Sequence, residues 1–323
     1  MSDASGITVT DVLGFAKGTQ KLLDTIALGV GKVYEPWHIQ RMAKAKAKEI
    51  EIISDKINEN FSLPIRYDNG EVYINAEDAN QLAMRAQNRA FYQEMRKQQN
   101  IENVITKAYS KMEHVSDVSD KPVDPDWVNS FFDSVANVSN EQMQTLWAKL
   151  LAGEVETPGA FSLRTLNTLK NMSQLAAELF SQIVPFILCL KKGDAYQHFV
   201  FADPETLSRN SIPFGAIIAL NDAGLMYSGQ VQINIKLSCN MDVIISNASK
   251  NIRIKSNNAQ DITLAYPIYP LTEAGGELYN IVKGSNPMDS KHYLSTCCDV
   301  LKKRGFGDFH INPPPDTVSV SIE

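Results

Sequence analysis

The sequence predicts an α+β protein, with a mainly helical domain over residues 1–185 and a smaller antiparallel α+β domain over 186–323. Three observations carry that prediction. Residues 138–184 repeat apolar side chains on a 3.6-residue period between capping residues and turn residues. After Pro185 the pattern changes to short alternating or β-branched runs such as VQINIKLS, MDVIISN and NIRIKS. Those runs follow one another instead of alternating with helices, which favours antiparallel pairing.

Residues 12–33 carry Leu22, Leu23 and Ile26 among Lys17, Lys21 and Asp24. A helix or helical hairpin packed on the core is expected, because no window reaches about 18 uninterrupted apolar residues. Gly14, Gly18, Gly29 and Gly31 allow close helix approach, so any membrane contact is expected only through this segment. GVGK at 29–32 is not a phosphate loop: Val33 stands where a Ser or Thr is needed, and Ile26 where the first glycine is needed. Pro36 opens a helix over 37–57, on which Arg41, Lys44 and Lys48 share a face. Asn69-Gly70 marks a turn or short hairpin. A polar helix then runs from Ala76 to about Met112, carrying Arg85, Arg89, Arg96 and Lys97.

Asp124 before Pro125 caps an aromatic-faced helix with Trp127, Phe131 and Phe132. In 138–184, Ser139 and Gln142 form a capping box, Trp147 with Leu150 and Leu151 makes an apolar stripe, and Gly153 closes the helix. Thr157-Pro158-Gly159 is a turn, while Ser162 and Ser173 cap two further helices. The three helices are expected to form one compact unit. Downstream, a hairpin turns at 192–194, a short helix ends at Gly224, Thr272 caps a helix and the last helix ends at Gly305. The proline-stiffened tail is expected to add an edge strand.

Two stretches support a comparison. Trp147, Ala148, residues 150–154, Pro158, Gly159, Phe161, Ser162 and residues 164–166 resemble the pattern of an uncharacterised bacterial domain-of-unknown-function family, W-A-x-[IL]-L-A-G-E followed by P-G-x-[FY]-S-x-R-T-L. The similarity extends to residues 36–49 and 271–281. The family's members have no assigned reaction. A looser resemblance to abortive-infection proteins implies bacterial antiviral defence or prophage biology.

No catalytic pattern accompanies these signals. His38, His114, His198, His292 and His310 have no metal-ligand spacing, and no cysteine completes a zinc set, so neither metal nor cofactor is expected. Asp124 and Asp126 read as capping chemistry instead of a magnesium pair, and Ser162 lacks the flanking glycines of a nucleophile elbow. Trp147, Gly153, Glu154, Pro158, Gly159, Ser162 and Arg164 are read as structural, with Glu154 and Arg164 facing each other across the turn as an ion pair or a backbone clamp. Cys189, Cys239, Cys297 and Cys298 are scattered and read as reduced thiols, mostly core filler, which with the absence of a signal sequence indicates a cytoplasmic protein.

A net charge of −6 and a pI near 5.5 argue against a non-specific nucleic-acid coat. The first expectation is therefore a non-enzymatic interaction or sensor protein with a protein partner, and self-association is compatible with it. The alternative is nucleic-acid binding through Arg41, Lys44, Lys48, Arg85, Arg89, Arg96 and Lys97, with Arg164 as a further anion-binding candidate. The third reading is a hydrolase using Glu154 and Arg164.

Overall fold

The structure is a computed structural model that describes residues 16–31, 66–68, 71–73, 76–192, 195–227, 229–237, 242–247, 251–255, 262–284, 291–303 and 309–312. The expected helix at 37–57, with Arg41, Lys44 and Lys48, lies outside these residues, as do Cys239 and the tail after Asn312. The chain divides into two compact units, Met1–Ala160 and Phe161–Glu323. The fold class is α+β, as the sequence predicts.

The first unit carries α1 (Lys17–Val30), a hairpin of β1 (Arg66–Asp68) and β2 (Glu71–Tyr73), α2 (Ala76–Met112), α3 (Pro125–Val135) and α4 (Glu141–Glu156). Leu22 and Ile26 lie on one side of α1 and are fully buried, so this segment is a core helix. Gly18 lets α1 approach the chain after α2: its N–H donates to Val115 O at 2.9 Å, and an added Cβ would sit 2.6 Å from that oxygen. At the other end Gly29 lies flat against the Phe132 ring. Trp127 stacks on Phe131 at 5.2 Å, and the Phe131 ring meets Trp147 edge-on at 5.4 Å, which makes an aromatic core of α3 and α4. No helix among the described residues is long and apolar enough to cross a membrane.

Two local expectations need correction. The N-cap of α4 is Asn140, whose side chain accepts from Met143 N–H; Ser139 instead accepts a hydrogen bond from Asn100. Gly153 does not close α4. Helix continues through Glu154, Val155 and Glu156, because Val155 adds another fully buried apolar contact, and the stop is the turn at Gly159, which takes φ +88°.

The second unit holds α5 (Leu163–Asn171), α6 (Gln174–Ile183), β3 (Leu188–Lys192), β4 (Ala195–Phe201), α7 (Pro204–Arg209), α8 (Phe214–Asp222), β5 (Val231–Leu237), β6 (Asp242–Ser246), β7 (Asn251–Lys255), β8 (Ile262–Pro270), α9 (Glu273–Val282), α10 (Lys291–Lys303) and β9 (Phe309–Asn312). Seven strands form one antiparallel sheet in the order β5-β8-β4-β3-β6-β7-β9. Successive side chains of β4 point to opposite faces. His198 lies under α9 with its ring 5.2 Å from Tyr279, while the Phe201 N–H reaches the hydroxyl of Tyr293 on α10. Gly275 and Gly276 let α9 lie close, and an added Cβ on Gly276 would be 2.8 Å from His198 Nδ1.

The two compact units divide between Ala160 and Phe161, with α4 in the first and α5 and α6 in the second, where the sequence expectation puts the boundary at Pro185. Helix α4 packs on α1 and α2, whereas α5 packs on α9 and α6 on α8. The reason is long-range: α5 and α6 find their apolar partners on helices that the sequence supplies more than 30 residues later. Helix α7 was not expected, although Asp203 before Pro204, accepting from Glu205 and Thr206 N–H, is an ordinary capping signal.

Candidate interaction surface

Helix α2 has 37 residues, which at 1.5 Å per residue makes it about 55 Å long. Among the described residues, the buried positions of α2 begin at Asn100. Val104, Ile105, Ala108 and Met112 are fully buried, and the docking begins at Asn100. That amide is a joint: its Nδ2 donates to Ala136 O at 2.9 Å and to Ser139 Oγ, and its Oδ1 accepts from Gln144 Nε2, which also donates to Val138 O. A buried amide needs such partners, so Asn100 fixes where the helix enters the core.

Residues 81–99, N-terminal to that joint, contain no buried side chain. Phe91 is 70% exposed and Met84 62%, and Leu82, Tyr92 and Met95 are also exposed. At 100° per residue, Met84, Phe91 and Met95 fall within an arc of about 40°. Arg85, Arg89 and Arg96 fall within a second arc of about 40°, centred roughly 120° from the first, with Tyr92 between the two. Lys97 is turned away from the arginines and pairs with Glu94 at 2.7 Å. The structure thus places four of the expected basic residues on one helix, Arg89 and Arg96 exposed and Arg85 and Lys97 half-buried, and separates Lys97 from the other three. The apolar stripe beside them escapes sequence reasoning, because Met and Phe at helical spacing normally signal core.

Arg164 lies in the other unit, exposed on α5. With Asn167 and Asn171 it lines an open polar groove closed on its far side by Asp222 at the end of α8. Glu154 is 1% exposed and acts as a backbone clamp, accepting the Gly159 N–H at 2.6 Å. Ser162 is a helix cap, its Oγ accepting from Thr165 N–H. The Glu277 carboxylate from α9 adds to that cap, accepting from Ser162 N–H at 2.8 Å and from Thr165 Oγ1 at 2.6 Å.

Cys189 on β3 stands opposite His198 on β4, but burial pushes the thiol up, and burial followed by nearby Lys283 pushes the imidazole down to about 4. Both groups are therefore uncharged at pH 7. Cys297 and Cys298 are buried free thiols under the sheet, as expected of core filler.

Fold and surface together define an α+β protein whose first unit presents a long, partly undocked helix. The chain belongs to the family described as Protein of unknown function (DUF2806), which it matches over residues 84–295. That span takes in α2 from Met84 onward, the 147–166 stretch and the 271–281 stretch; residues 36–49 fall outside it. No curated protein and no solved structure matches the chain.

Proposed function

We propose that this chain is a non-enzymatic interaction or sensor protein that docks a protein partner on the free part of α2. The observation that carries the reading is the exposure of Met84, Phe91 and Met95 on a single arc of a helix whose buried positions, among the described residues, begin at Asn100. Leaving three large apolar side chains in water is unfavourable, at about 25 cal/mol per Å² of apolar surface, and a contiguous stripe of them is a recurrent mark of partner docking. The looser resemblance to abortive-infection proteins suggests bacterial antiviral defence or prophage biology as the setting. The free thiols Cys189, Cys297 and Cys298 favour the cytoplasm. Glu154 supports no hydrolase, since its carboxylate is buried and holds Gly159.

The test is a photo-crosslinking residue at position 91 in the full chain, expressed in its native cells. A discrete adduct at position 91, absent when the same residue is placed at exposed Tyr196, is the expected result. No adduct at position 91 under any growth or infection condition removes the reading.

A second reading has its own support. Exposed Arg89 and Arg96 share one arc with half-buried Arg85 and with Tyr92, the combination of cation and aromatic that nucleic-acid surfaces use. Salt-titrated binding of single- and double-stranded oligonucleotides tests it, and no binding at low salt dismisses it.

A further inference from the structure

Charge on this helix is opposite to charge on the protein. The whole chain carries −6, yet residues 81–99 hold four cations, Arg85, Arg89, Arg96 and Lys97, against the single carboxylate of Glu94, a net of +3. Glu94 is already bonded to Lys97. Among the described residues, no carboxylate is paired with Arg85, Arg89 or Arg96. Lys107, the next cation along the helix, pairs with Glu141 of α4.

We infer that the free part of α2 binds an acidic amphipathic helix of another protein, and this inference rests on the interaction reading above. The apolar stripe of Met84, Phe91 and Met95 supplies the packing face. The arginine arc beside it selects carboxylates along one flank of the partner, and guanidinium groups suit them because they hold carboxylates with two parallel N–H bonds. A second copy of the chain is a poor occupant, since pairing residues 81–99 of two copies brings three arginines per copy toward each other, and Glu94, the one carboxylate within those residues, is engaged by Lys97. A phosphate backbone uses the arginines and leaves the apolar stripe in water. Only a partner with both features satisfies both arcs, and a helix laid along another helix matches their common length.

The experiment uses the purified full chain and three synthetic helical peptides with the same leucine stripe, flanked by Glu, Gln or Lys, together with a 20-base duplex DNA. Binding is followed by fluorescence anisotropy at two salt concentrations. The Glu peptide is expected to bind roughly tenfold or more tighter than the Gln peptide, with the advantage shrinking as salt rises. The triple variant R85E/R89E/R96E is expected to reverse the order and prefer the Lys peptide, while Phe91→Ser weakens every peptide. These positions are exposed or half-buried, so circular dichroism of the variants is expected to match the parent.

Equal binding of the Glu and Gln peptides, with loss on Phe91→Ser, overturns the acidic-partner inference and leaves the interaction reading standing. Duplex binding that outcompetes every peptide overturns the inference in favour of nucleic acid. Peptide binding unaffected by both variants overturns it by placing the contact elsewhere. No binding of any probe, with an empty crosslink at position 91, removes both.

Discussion

Thr165 Oγ1 donates a hydrogen bond of 2.6 Å to Glu277 Oε2, joining the first turn of α5 to the middle of α9 across 112 residues of sequence. Thr165 is fully buried, and the same carboxylate takes the Ser162 N–H, so one side chain closes the exposed donors of a helix start that sequence reasoning assigns to Ser162 alone. Replacing Glu277 with Ala leaves those donors unmet and is expected to cost about 2 kcal/mol, against about 1 kcal/mol for Thr165→Val. Urea unfolding with hydrogen exchange at the α5 amides measures both. The double variant should lose less than the sum, and strict additivity contradicts the shared bond.

The Gly159 turn depends on φ +88° and on Glu154. Gly159→Ala is expected to cost about 1–2 kcal/mol from the left-handed backbone alone, since the space around it is open. Glu154→Ala should cost about 1–3 kcal/mol by leaving a donor without its charged acceptor. Thermal unfolding gives both values; a neutral Gly159→Ala refutes the backbone assignment.

Two glycines inside helices separate packing from propensity. Gly29→Ala drives a methyl group into the Phe132 ring, and overpacking of about 1–3 kcal/mol outweighs a helix gain of about 1 kcal/mol, so a net loss is expected. Gly215, in the first turn of α8, has nothing within 4 Å of an added Cβ. Gly215→Ala should stabilise by about 0.5 kcal/mol. Opposite signs in the same denaturation assay are the expected outcome.

Acid should weaken the second unit through His198. Its folded pKa of about 4 lies below the ordinary value of 6.5, so the unfolded chain takes up a proton that the folded chain refuses. Stability is therefore full above about pH 6.5 and falls as pH drops toward 4; below that, both states are protonated and the loss levels off. Allowing for solvent screening of a partly exposed ring, the loss is about 2 kcal/mol. His198→Gln should flatten this limb of the stability-pH curve, and an unchanged slope assigns the acid sensitivity to other groups.

Along α2, apolar residues should divide at Asn100. Val104→Ala is expected to cost about 1–3 kcal/mol because Val104 is fully buried. Phe91→Ser should change stability by no more than about 0.5 kcal/mol. Equal losses at both positions indicate that the free part of α2 is packed.

Most secondary elements are legible in the sequence, because their signals are local. Asp124, Ser162, Ser173 and Thr272 cap the helices they are expected to cap, and α2 runs between the expected residues. The errors occur where a distant residue decides. Gly153 stays helical because Val155 has a buried site to fill, Ser139 is drawn to Asn100, and α5 packs on α9. The candidate surface is half legible: charge marks Arg85, Arg89, Arg96 and Lys97, but their division into three arginines and one paired lysine follows from helical phase and from Glu94.

Sequence alone determined the α+β class, the helix starts and the alternation of the strands, since backbone capping and side-chain periodicity act within a few residues. Tertiary structure decided the division after Ala160, the joining of α5 to Glu277 and the exposure of Phe91. Burial is a property of what the rest of the chain brings near a residue. Met84, Phe91 and Met95 have the spacing of core residues, and they lie in water because no described segment reaches them.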